Sequence, residues 1–149
     1  MAWTTPRSYV PFELVTAAIL NVDLRDNPDY LRPFQLWTNV VSPADLTANQ
    51  NNWAPGIGSQ SPCILRVGCA GATYTITGLA NPGVDGFQVL LWYASGANAV
   101  TLAHEDAGSS SANRFTLPGG GSVTLGDQDA AWMIYTLTTQ RWRVLDGTS

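Results

Sequence analysis

Lysine is absent from this 149-residue chain. All seven basic residues are arginines, set against eleven acids, for a net charge of −4. Binding to a phosphate backbone needs a basic patch. Only Arg141 and Arg143 approach one, and they read as alternate positions on one face of a strand. Neither DNA nor RNA is therefore an expected partner. Without lysine a Walker loop is excluded as well. Charged residues make up only 12% of the chain, against an average of about 25%. Lysine is the usual means of keeping a surface soluble and a sheet edge unpaired. A chain without it has less polar surface to expose, which points to burial of part of that surface in an assembly.

Catalytic signatures are equally scarce. There is no Gly-x-Ser-x-Gly elbow and no Gly-x-Gly-x-x-Gly fingerprint. Gly119-Gly120-Gly121 follows a proline with no helix after it, so it reads as a turn rather than a phosphate cradle. The only histidine lies in His104-Glu105-Asp106. Adjacent residues on a strand alternate faces, so these three do not converge. Asp127 and Asp129 read as turn acids before an apolar strand. No catalytic residue, metal site or cofactor is expected, and the protein reads as non-enzymatic. The two cysteines, Cys63 and Cys69, would sit roughly 20 Å apart on one continuous strand at about 3.3 Å per residue. A disulfide needs Cα atoms within about 7 Å, so two buried free thiols are expected. No apolar run is long enough for a transmembrane helix, and no secretory leader is visible. The expectation is a protein made in the cytoplasm that assembles there.

Two unlike parts make up the chain. Residues 1–60 are interrupted by prolines at 6, 11, 28, 33, 43 and 55 and read as an extended N-terminal docking arm. The arm holds one short helix at about 16–27, capped by Thr16, with Leu20 and Leu24 one turn apart and Asn27-Pro28 ending it. A second helical turn is expected at Ser42-Pro43-Ala44-Asp45, a capping signal. Large apolar side chains flank the helix. Trp3, Tyr9, Phe12, Leu20, Leu24, Tyr30, Phe34 and Trp37 are the expected assembly residues, because such groups rarely stay exposed without a partner.

Residues 61–149 alternate and are punctuated by glycine. Candidate strands are 63–69, 73–79, 87–94, 99–104, 113–117, 122–125, 130–137 and 141–145. Turn signals recur every 8–12 residues or so, which points to an antiparallel β-sandwich or barrel-like domain. The segments 87–93 and 130–135 are apolar at nearly every position. In a small domain this implies one face on the core and the other on a subunit contact. Trp53, after Asn49-Gln50-Asn51-Asn52, and Trp142, between Arg141 and Arg143, have the side-chain chemistry of a sugar-binding or interface site.

Several stretches also resemble bacteriophage tail-fibre-like and minor virion structural proteins. They are Trp3-Thr4-Thr5-Pro6-Arg7-Ser8-Tyr9-Val10, Glu13–Asn21 and Leu24–Asn27 at the amino end. Later marks are Leu46–Trp53, Ile76-Thr77-Gly78-Leu79, Ser111–Gly120 and Arg141–Leu145. The resemblance implies a virion protein, homotrimeric, in a tail fibre or spike, with other virion proteins as partners. Asn27-Pro28 departs from the pattern, which usually continues its helix there, and no shaft or repeat region is present. The alternatives are a capsid decoration protein that stabilises the head and a carbohydrate-binding module for a host surface glycan.

Overall fold

In the computed structural model of the protein, residues 39–58, 62–94 and 96–147 are described. They form nine strands: β1 (Asn39–Val41), β2 (Cys63–Val67), β3 (Tyr74–Ile76), β4 (Gln88–Tyr93), β5 (Val100–Leu102), β6 (Phe115–Thr116), β7 (Val123–Leu125), β8 (Ala130–Thr136) and β9 (Arg141–Gly147). Two 3-10 turns, Ser111–Asn113 and Pro118–Gly120, are the only helical pieces among the described residues. The expected helix at 16–27 lies outside them. The expected turn at Ser42–Asp45 is not helical. Leu46, just after it, instead donates its N–H to Gly68 O, and its carbonyl accepts from Ala70 N. These bonds tie the chain to the coil beside it.

The fold is mainly β, but the expected sandwich or barrel does not form. Strands stack in a solenoid-like manner instead. Asn39 pairs with Cys63 and Cys63 with Val89, both in parallel, and Tyr74 pairs in parallel with Val100. Isolated parallel bridges join Leu46 to Cys69, Gln50 to Ile76 and Trp53 to Leu79. Each partner lies about one coil of 25 residues further along the chain. The antiparallel reading assumed that strands adjacent in sequence pair. Here β2 and β3 belong to different sheets, as do β4 and β5. A parallel pair needs a long crossover, and the chain uses that crossover to build the second sheet. The result is a six-stranded sheet, β1-β2-β4-β8-β9-β6, and a three-stranded sheet, β3-β5-β7. Antiparallel strands then end the stack: β7 pairs with β5, β8 with β4, and β9 with β8. The last strand of the large sheet, β6, runs parallel to β9.

Residues 39–58, which the sequence reading placed in the arm, supply β1 and three bridges to this unit. One apolar cluster joins both sheets. Trp142 of β9 is fully buried. Its ring meets Tyr135 edge-on at 5.2 Å and Phe87 at 6.2 Å. Its indole N–H donates to Leu79 O at 3.0 Å, which satisfies the polar atom that a buried tryptophan brings.

Candidate interface on the outer face of the large sheet

Alternation fixes which side chains leave the core. In β2, Cys63, Leu65 and Val67 are buried, so Ile64 and Arg66 face outward. In β4, Val89, Leu91 and Tyr93 are buried, and Gln88, Leu90 and Trp92 are on the other face. In β8 the buried set is Ala131, Met133 and Tyr135, which leaves Trp132 and Ile134 outside. The register then aligns the outward residues. Val40 lies beside Ile64, Ile64 beside Leu90, and Leu90 beside Trp132. With strands about 4.8 Å apart, this apolar row crosses the sheet for about 14 Å. A neighbouring row adds Ile134, in register with Arg143 of β9.

Leu145, at a β-bulge, extends the patch. Trp132 is in register with Asp146 but Met133 with Val144, so Leu145 is the extra residue. Leu145 alternates with the buried Val144, shares the outer face with Arg143 and is half exposed. Val40, Trp132 and Leu145 retain 57%, 42% and 50% of their accessible surface. Apolar side chains of this size, contiguous across four strands, make a patch of the kind that contact surfaces use. Arg66 is on the same face, with its guanidinium 5.6 Å from the Trp92 ring centroid, a cation–π distance.

The residues singled out by sequence fall in different places. Trp3, Tyr9, Phe12, Leu20, Leu24, Tyr30, Phe34 and Trp37 lie outside the described residues. Trp142 is a core residue and offers no face to a ligand. Trp53 is half buried against the core, and its N–H donates to Gly78 O. The asparagines before it are committed internally. Asn49 Oδ1 accepts from Thr75 N, Asn51 Oδ1 from Thr77 Oγ1, and Asn52 Oδ1 from Ser110 N and Asn113 Nδ2. Asn49 and Asn51 fasten the first coil to the second, and Asn52 fastens it to the loop at 109–113, so they do not line a groove. Arg143 is exposed on the outer face, while Arg141 is drawn away from it.

Arg141 meets Glu105, whose two carboxylate oxygens lie 2.8 and 2.9 Å from Nε, and Nη1 donates to Ser111 O. Thr116 Oγ1 donates to the same carboxylate. Burial alone would raise the Glu105 pKa, but these bonds and the Arg141 charge prevail and hold it below the usual carboxylate range. His104 Nδ1 accepts from Leu117 N, and Asp106 Oδ1 from Gly108 N. The three neighbours thus bond to different partners, and no hydrogen bond joins one of them to another. Asp129 accepts from Gly126 N within its own turn, and Asp127 accepts from Gly96 N in the loop after β4. Among the described residues, no group of three His, Cys, Asp or Glu side chains is placed to hold a metal ion. Cys63 and Cys69 are free and buried, and burial pushes the Cys63 thiol up to about 11.

Sequence reading named the two-sided strands but not the face they build. Val40 had no signal, because a three-residue strand between prolines shows no period. Comparison with protein-family models, with curated proteins and with solved structures finds no match to this chain. No helix among the described residues is long and apolar enough to cross a membrane.

Proposed function

We propose that the protein is a non-enzymatic structural component of a bacteriophage particle. In this reading it forms a homo-oligomer, a trimer in a tail fibre or spike, through the outer face of the six-stranded sheet. The aromatic residues of the amino-terminal segment, Trp3, Tyr9, Phe12, Tyr30, Phe34 and Trp37 among them, dock it to other virion proteins. The observation that carries the reading is the apolar row Val40–Ile64–Leu90–Trp132 with Ile134 and Leu145 beside it. A monomer in water has no use for such a row, whereas a copy of the same chain covers it. The low charge and absent lysine support the same conclusion from composition. The tail and virion assignments rest on the sequence resemblance.

The test is gold-labelled antibody against residues 63–147 on intact phage particles from the source of the sequence, viewed by electron microscopy. Label confined to the tail or its tip is the expected result. Label spread evenly over the head would replace the tail assignment with capsid decoration. Particles without label, alongside soluble antigen in the lysate, would contradict a virion role.

A further inference from the structure

The loop Pro118-Gly119-Gly120-Gly121 lies between β6, the last strand of the large sheet, and β7, the last strand of the small one. Gly119 and Gly120 adopt positive φ, 71° and 75°, which glycine reaches without the steric cost that other residues bear. The loop packs on very little. A Cβ at Gly119 or Gly121 would meet nothing within 4 Å, and one at Gly120 would meet His104 Nε2 alone, at 4.0 Å. Three glycines lose much conformational entropy in a single shape, so the loop needs a fastening.

His104 fastens both of its ends. The Leu117 N–H donates to the ring Nδ1 at 3.0 Å. The His104 backbone N–H donates to Ser122 Oγ at 3.2 Å. Leu117 is 3% exposed, so water cannot readily replace the ring as partner of its N–H. The histidine itself is only half buried, which leaves it open to solvent protons. Nδ1 accepts a hydrogen bond only while it carries no proton. A charged imidazole has N–H on both nitrogens and would turn a donor toward the Leu117 donor.

Few charged groups surround the ring. Glu105 follows it, and Arg141 of β9 pairs with that carboxylate. Asp106 is turned to Gly108 N, and Arg114, just before β6, donates to Ser109 O. The loop, β6 and β7 carry no ionisable side chain. Glu105 is held below the usual carboxylate range, so its ion pair persists where a histidine changes charge, between about pH 5 and 8.

We propose that His104 is a proton-operated latch on residues 117–122: the neutral ring holds the loop closed across the two sheet edges, and protonation releases it while both sheets stay folded. The sign follows from Nδ1 being the acceptor. The bond is complete while the ring is neutral and is lost as pH falls. The sheets persist because β6 pairs with β9, and β7 with β5, through strand bonds of their own. The latch does not depend on self-association of the outer face or on a virion role.

The experiment is NMR of the full-length protein, with hydrogen exchange read as protection factors at about pH 7.5 and about pH 5. Protection of the Leu117 amide should fall about tenfold at the lower pH, as expected for the loss of one hydrogen bond, while Val89 and Met133 keep theirs. His104 is the only histidine, so its ring signals are unambiguous, and they should titrate with the same midpoint as the Leu117 amide shift. His104→Asn places a carbonyl oxygen that does not titrate near the position of Nδ1, and it should remove the pH dependence at Leu117. Leu117 protection that is independent of pH in the parent, separate midpoints for the ring and the amide, or an Asn variant that loses protection in acid as the parent does would each overturn the proposal.

Discussion

At the scale of single residues, the fold depends on a few close fits. Gly78 approaches the loop at 109–113 so closely that a Cβ there would collide with the backbone oxygen of Asn113. Gly78→Ala should therefore destabilise the protein by roughly 1–3 kcal/mol, as overpacking does, read as a lower midpoint in urea. Trp142→Ala empties the centre of the core and strands Leu79 O, and a loss of about 3–5 kcal/mol is expected. The Glu105–Arg141 pair has a pH signature. Its carboxylate pKa is lower in the folded chain than in the unfolded one, so its contribution is present above the unfolded value of about 4.3 and lost as pH falls through the folded value. The two side chains keep 33% and 23% of their surface, which limits the effect. Glu105→Gln should cost about 1 kcal/mol at neutral pH, and the gap to the parent should close in acid. A gap that stays constant down to pH 3 would remove the ion pair from the account. The buried Cys63 thiol, held near 11, should resist Ellman's reagent at pH 8 in the native protein and react once urea unfolds it.

At the scale of elements, sequence reading located strands well and paired them badly. Each of the eight candidate strands between 63 and 149 overlaps an observed one, because alternation such as Tyr74-Thr75-Ile76 is a local property. Pairing is not local. It depends on which chain segment lies one coil away, and turn spacing cannot report that. The structure shows a weak internal repeat that the sequence reading did not find. Trp53-Ala54-Pro55-Gly56 and Leu79-Ala80-Asn81-Pro82-Gly83 follow bridged residues, and Gly56 and Gly83 both adopt positive φ, 83° and 71°. Two Pro-Gly corners at this separation are the signal of stacked coils. The first coil, 39–58, has almost no pattern of its own. It holds its place through backbone bonds to the second coil, such as Gln50 N to Thr75 O and Trp53 N to Gly78 O. Hydrogen exchange tests this directly. The amides of Leu46, Gln50 and Trp53 should be protected to a degree comparable with Val89 and Met133. Immediate exchange at all three would mean that this segment is not part of the β unit.

At the scale of the whole molecule, the large sheet has one face spent on the core and another that remains apolar. The sequence carried half of this. The runs 87–93 and 130–135 announced two-sided strands, but only the register placed Ile64, Leu90, Trp132 and Ile134 side by side; Leu145 joins that face by alternation with the buried Val144. Neither the symmetry of an assembly nor the order of strands is written in local pattern. The account therefore stands or falls on whether this face is covered by another copy. Sedimentation velocity of the full-length protein, beside a Val40→Glu/Leu145→Glu variant, measures that. Both substituted side chains are half exposed, so the variant should keep the parent's melting temperature. The account predicts an oligomer for the parent, a trimer by the resemblance, and a folded monomer for the variant, since a charge buried without a partner at a contact is strongly unfavourable. A parent that sediments as a monomer, or a variant that assembles as the parent does, would contradict it.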